Sequence, residues 1–166
     1  MSQQYAQNPY SPTQSGPVPL SQPFYGASFG EAVKRFFKKY ATFSGRASRS
    51  EYWWVFLFQN AVVLVLSVLT AMNVDSSGDP TGLGIVTTLL LLVYILGAFL
   101  PALALFVRRL HDGGFSGWLA LLAFVPLVGW LAYPVFGLMP SKPEGARFDA
   151  GTQQQYAPYP PASPQA

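Results

Sequence analysis

The sequence predicts an all-α integral membrane protein, with three transmembrane helices preceded by an amphipathic interfacial helix and flanked by disordered tails. Only 10% of the residues are charged and 51% are apolar, whereas a soluble domain carries about 25% charge. The apolar residues are gathered into three runs, Trp53–Met72, Leu83–Val107 and Trp118–Leu138, of 20, 25 and 21 residues, none containing Asp, Glu, Lys, Arg or His. At about 1.5 Å of rise per residue each run reaches the ~30 Å thickness of a bilayer core. In lipid a single segment pairs all its own backbone groups only as a helix. A soluble core helix of this length would show a polar stripe, and these runs show none.

Residues 1–28 are rich in Gln, Pro, Ser and Tyr, and residues 150–166 repeat that composition. Such segments bury too little apolar surface to offset chain entropy, so both are expected to be disordered. Their tyrosines and prolines suit an extended, polyproline-like docking to a protein partner. The membrane domain is expected over 29–149. No secretory signal peptide is expected, because the first apolar run begins only at residue 53, behind a polar segment.

From 29 to 43 the pattern changes. Phe29, Val33, Phe36, Phe37, Tyr40 and Phe43 recur at helical spacing, while Lys34, Arg35, Lys38 and Lys39 occupy the other faces. An aromatic and basic amphipathic helix of this kind suits the headgroup region. Gly45 is expected to end it. Ser48 or Ser50 can then cap the first span, with Glu51 in its opening turn against the helix dipole. Tyr52, Trp53 and Trp54 follow as an interfacial aromatic belt.

Within the first span, Gln59 and Asn60 are expected to turn toward a neighbouring helix and bond there, or to line a solute path. The connector Asn73–Gly82 carries Asp75 and Asp79 and no Lys or Arg. The second span holds Thr87, Thr88, the small pair Ala98/Ala102, which allows close helix approach, and Pro101, which should kink it. The third run carries Pro126 and Gly129 near its middle. With three spans, eight Lys or Arg lie on the amino-terminal side and two on the other. The positive-inside rule then places the amino terminus and the 108–117 loop in the cytoplasm and the carboxyl terminus outside. A re-entrant hairpin broken at Pro126–Gly129 would instead return the carboxyl terminus to the cytoplasm.

Two charged motifs meet on one face in either arrangement: Gly45, Arg46, Arg49 and Glu51 before the first span, and Arg108, Arg109, His111 and Asp112 after the second. Their arginines can pair with the carboxylates, locking span ends together, or bind lipid phosphates bidentately. Gly45-Arg46-x-x-Arg49-x-Glu51-Tyr52-Trp53, followed by Arg108-Arg109-Leu110-His111-Asp112-x-Gly114-x-Ser116-Gly117-Trp118, resembles the small bacterial inner-membrane proteins of domain-of-unknown-function family 805 over about residues 33–149. The chain has Leu119 where the family usually has a second aromatic. It also has Gly145-Ala146-Arg147-Phe148-Asp149 in place of the family's Asn-x-aromatic-Gly signature. The resemblance implies an inner-membrane protein of unassigned activity and supplies no catalytic residues.

Catalytic chemistry finds little support. The chain has no cysteine, which removes disulfides, thiolate catalysis and cysteine metal sites. Gly114-Phe115-Ser116-Gly117 matches a serine-protease motif of intramembrane proteases, but the sole histidine, His111, precedes the serine by five residues instead of lying on a later helix. His111, Asp112 and Glu51 are a poor set for zinc, and no phosphate-cradling glycine loop appears. No cofactor, no metal and no nucleic acid is expected. The expected partners are anionic membrane lipids, proteins that bind the tails, and a second copy of the chain. The expected function is non-catalytic: membrane organisation or partner binding through a basic lipid-facing cytoplasmic surface. A component of a small-solute transporter or channel is the alternative.

Overall fold

The computed structural model describes residues 18–149; the expected tails at 1–17 and 150–166 lie outside the described residues. The described chain is helical: α1 (Phe29–Lys38), α2 (Arg49–Met72), α3 (Gly82–Asp112), a 3₁₀ helix Gly117–Phe124, α4 (Val128–Leu138) and a second 3₁₀ helix Pro143–Phe148. Among the described residues, β pairing is confined to one isolated bridge, Val74 with Pro80, in the α2–α3 connector.

α2 and α3 form an antiparallel pair. Ser48 caps α2 in a capping box: its side chain accepts from Glu51 N, and the Glu51 carboxylate accepts from Ser48 N at 3.0 Å. At the far end Thr81 caps α3, its N–H donating to Asn73 O at 3.0 Å, and the Thr70 and Thr87 hydroxyls bond across the pair at 3.1 Å. Both helices are long and apolar enough to cross a bilayer. Only 6% of the apolar window of α2 is buried within the protein. Leu64, Val93 and Leu96 stand 63%, 68% and 75% exposed. A surface this apolar is matched to lipid and mismatched to water.

Burial concentrates at the other end. Ala104 to Asp112 of α3 and the following Gly113, Gly45 to Ser48, and Glu51, Tyr52 and Val55 of α2 are all buried. α1 packs there against α2, with Phe36 buried and Phe29 and Phe37 meeting Trp54 and Phe58 edge-on at 5.8–6.3 Å. The helix stops at Lys38, short of the expected residue 43, as Thr42 N turns back to Lys39 O. Gly45 does not end it. At φ +81° that residue shapes the later turn that sends its N–H to Phe148 O at 2.8 Å.

The third apolar run is not one helix. Gly117–Phe124 is 3₁₀, Val125–Leu127 breaks the chain with Leu127 at φ 70°, and α4 runs from Val128. Pro126 supplies no amide hydrogen, and Gly129 N turns back to Val125 O at 2.8 Å. A Cβ on Gly129 would lie 2.2 Å from Ala123 O, so only glycine fits the turn. The two pieces, of 8 and 11 residues, are each about 16 Å long, roughly half a bilayer core. They form a hairpin whose tip places Phe124 against Phe99, midway along α3, at 6.1 Å. Its start and finish lie at the same end of the molecule. Gly117 sits against Val107 and His111, and Met139 O accepts from Arg49 Nε at 2.8 Å and from Arg109.

The boundary of the amino-terminal tail also moves. Expected to be disordered through residue 28, the chain from Val18 onward crosses the buried end as a strap. Val18, Pro19 and Gln22 offer carbonyls to Arg35, Phe24 N donates to Glu51 at 3.1 Å, and Ala27 N donates to Ser50 Oγ at 2.9 Å. Buried charge, which composition does not reveal, gives these backbone groups partners.

Candidate functional site

The buried end is a polar cluster enclosed by apolar packing. Seven of the eight motif residues are buried in it, and the exposed Arg49 reaches its rim at Met139 O. Arg46 forks onto Asp149 with bonds of 2.9 and 2.5 Å. Arg109 pairs with Asp112 one turn on, and both are buried. Asp112 also accepts from the Tyr25 hydroxyl at 2.9 Å and from Ser141. Glu51 takes Arg35 at 3.2 Å as well as the amides of Ser48 and Phe24. Burial first, and then the Asp112 charge, keep the Tyr25 hydroxyl neutral well above the usual phenol range.

Two of the arginines finish α4. The last carbonyls of any helix lack intrahelical donors. Here Gly137 O accepts from Trp53 Nε1 at 3.2 Å and Arg109 Nη2 at 3.4 Å, while Met139 O takes both Arg49 and Arg109. The Tyr52 hydroxyl adds a bond to Tyr133 O at 2.9 Å. Cations at a helix carboxyl end also oppose its dipole. Arg49 and Arg109 thus fasten the hairpin to the span pair.

His111 lies flat on Phe148, with ring centroids 3.9 Å apart and planes 8° from parallel, and its Nδ1 meets Gly45 O at 3.1 Å. Among the described residues no hydrogen bond joins it to Ser116, whose hydroxyl instead accepts from Trp118 N at the start of the 3₁₀ helix. The groove beside them, of about 580 Å³, is lined by apolar side chains such as Leu103, Val107, Leu121 and Phe124. No group of three or more His, Cys, Asp or Glu among the described residues could hold a metal ion.

Gln59 and Asn60 lie outside the cluster. Gln59 accepts from the Tyr94 hydroxyl of α3, joining the two helices. Asn60 does not cross to a neighbour: its Nδ2 donates to Phe56 O in its own helix at 2.8 Å, and Thr88 likewise bonds Gly84 O at 2.8 Å. A carbonyl one turn back is always within reach of a short polar side chain.

Sequence reasoning missed Arg35, Lys39, Tyr25, Phe148 and Asp149 as cluster members. Helical spacing puts Arg35 and Lys39 on polar faces of the amphipathic helix, yet they stand 3% and 5% exposed. The signal was present: Ala32, Arg35, Phe36 and Lys39 fall at i, i+3, i+4 and i+7, one helical stripe. Burial pushes the Lys39 ammonium down to about 8, against the pull of Glu51 and with the help of Arg108 and Arg35.

Comparison with known proteins finds relatives that are inner membrane proteins. A family model described as "Protein of unknown function (DUF805)" matches residues 40–150. The chain is 43% identical over 99 residues to inner membrane protein YhaI of Escherichia coli K12, covering 60% of this chain and 75% of that one. To inner membrane protein YhaH of the same organism it is 40% identical over 112 residues, covering 67% of this chain and 87% of that one. No solved structure matches. The two arginine motifs and the carboxyl-terminal Phe148–Asp149 that completes their cluster fall inside the matched region, and the chain belongs to the DUF805 family of membrane proteins.

Proposed function

We propose that this protein is a non-catalytic organiser of the inner membrane, a two-span protein with a re-entrant hairpin, drawn to anionic lipid on the cytoplasmic leaflet. One observation carries the reading. With the 118–138 run folded back, all ten Lys and Arg fall on the side of the cluster, and the opposite connector holds only Asp75 and Asp79. By the positive-inside rule that side is cytoplasmic, and the segment to residue 149 ends there too. Lys34 and Lys38 are exposed on α1 beside the exposed Phe29, Phe37, Tyr40 and Phe43. This pairing of cations with aromatics fits a headgroup boundary. The engagement of His111 with Gly45 and Phe148, and of Ser116 as a cap, supports a structural role for both.

The test is lipid selectivity. The full chain is placed in phosphatidylcholine bilayers containing spin-labelled phosphatidylglycerol or spin-labelled phosphatidylcholine. The anionic probe should be favoured several-fold at low salt, with the preference falling as ionic strength rises. Changing both Lys34 and Lys38 to Gln should remove most of it, at about 1 kcal/mol per surface lysine. Equal affinity for the two probes would sink the proposal. A solute path is the second reading, favoured by a cavity of about 220 Å³ lined by Gln59, Asn60, Tyr52 and Tyr133. Solute flux in proteoliposomes that Asn60→Leu abolishes would favour it over the first.

A further inference from the structure

Charge in the cluster does not balance. Arg46 is matched by Asp149 and Arg109 by Asp112. Arg35, Lys39 and Arg108 then share Glu51, with Asp149 acting on Lys39 as well as Arg46, so five buried cations face three carboxylates. Glu51 is occupied: Oε2 accepts from Ser48 N and Phe24 N, and Oε1 accepts from Arg35. Among the described residues neither Lys39 nor Arg108 is in an ion pair. Arg108 is 2% exposed, its Nε turns back to Ala104 O, and its Nη2 has no partner.

A buried guanidinium without a counter-charge is costly, and unlike an ammonium it cannot shed its proton to escape. Lys39 can: burial first, helped by the Arg108 and Arg35 charges, brings its ammonium down to about 8, while Glu51 and Asp149 oppose them. Even with Lys39 neutral, two arginines face one carboxylate. The remaining solution is an anion supplied from outside. A phosphate group fits on three counts. Its single negative charge as a diester, or nearly double charge as a monoester, spans the excess left by neutral or charged Lys39. Its oxygens can accept from the unpartnered Arg108 Nη2 and the Lys39 ammonium together, with the Arg35 charge close by although its Nη atoms are taken by Glu51 and the strap carbonyls. Its geometry suits a guanidinium edge with an ammonium beside it.

We infer that Arg108 and Lys39, with the Arg35 charge beside them, form a binding site for one phosphate group, near the strap that starts at Val18. The inference rests on the lipid-drawn reading above for the side from which the anion arrives, and it adds a stoichiometric site to a diffuse attraction. Because Arg108 is almost inaccessible, the bound phosphate should exchange slowly and survive purification.

The experiment is phosphorus analysis of the full chain purified in detergent and washed at ~1 M salt, which screens surface-held lipid. One phosphorus per chain is expected. Recovery in the organic extract assigns it to a lipid headgroup, and recovery in the aqueous phase to free phosphate. Lys39→Met and Arg108→Met should each lower retention at least tenfold, while Lys34→Gln with Lys38→Gln leaves it unchanged. Should Arg108→Met fail to fold, Lys39→Met decides. The site is overturned if the wild type carries no phosphorus and neither inorganic phosphate nor phosphatidylglycerol raises its Tm, or if Lys39→Met retains phosphorus undiminished. A phosphorus-free wild type whose Tm neither anion raises, but which still prefers anionic bilayers, removes this site alone. Retained phosphorus without bilayer selectivity removes the surface reading alone.

Discussion

Pro101 has no amide hydrogen, so the carbonyl four residues earlier in α3, that of Gly97, loses its helical donor within an apolar helix face. The Tyr40 hydroxyl, just beyond the end of α1, donates to that oxygen at 2.5 Å. One side chain thus repairs a defect made by another 61 positions away in the sequence. Tyr40→Phe should cost about 1–3 kcal/mol in detergent unfolding, the penalty of an unmet carbonyl. Pro101→Ala restores the helical N–H, so in that background Tyr40→Phe should cost close to nothing. Equal costs in both backgrounds would refute the pairing. At this scale the sequence was legible where partners are local. Ser48, one of the two serines expected as the cap, closes α2 three residues before Glu51, whereas Arg109 pairs with Asp112 inside one motif and not across span ends. It was opaque for Arg35 and Lys39. Periodicity shows which residues share a stripe, but only packing shows which stripe a neighbour covers.

Among the elements, α2 and α3 could be read from length and apolarity alone, because a bilayer of fixed thickness demands a fixed number of helical residues. The same count misled at 118–138. A hairpin of two half-depth pieces contains as many apolar residues as one crossing, and composition does not separate them. What separates them is the break at Pro126–Gly129 together with donors waiting at the returning end. Arg49, Arg109 and Trp53 supply those donors to carbonyls of Gly137 and Met139. The chain has no cysteine, so single cysteines report sidedness without background. Ser44→Cys and Lys142→Cys should react with a membrane-impermeant maleimide from the cytoplasmic face, and Ser76→Cys from the opposite face. Labelling of positions 142 and 76 from the same side would restore a third full span and dissolve the hairpin.

For the molecule as a whole, the division of labour is between a lipid-matched half, with few polar contacts, and a buried half that gathers charge. Composition foretold the first half. The second depends on the strap from Val18, the α1 stripe and the Phe148–Asp149 segment meeting in space, which no single stretch encodes. Its signature is the response to pH. An unfolded lysine titrates near 10.4, whereas Lys39, buried among Arg35, Arg108, Glu51 and Asp149, does so at about 8. Below pH 8 the folded chain bears the full cost of a buried ammonium. Between about 8 and 10 the unfolded state holds the extra proton, so stability rises with pH, by on the order of 2 kcal/mol. Above about 10 the slope reverses, because burial keeps Tyr25 protonated in the folded chain after it has ionised in the unfolded one. Denaturation of phosphate-free protein across this range should therefore show a maximum near pH 10. Lys39→Met should flatten the rise below it. So should a bound phosphate, which supplies the counter-charge that keeps the ammonium charged. A flat profile in the phosphate-free wild type would mean that Lys39 reaches water, and that the cluster is not the closed, cation-rich interior its burial describes.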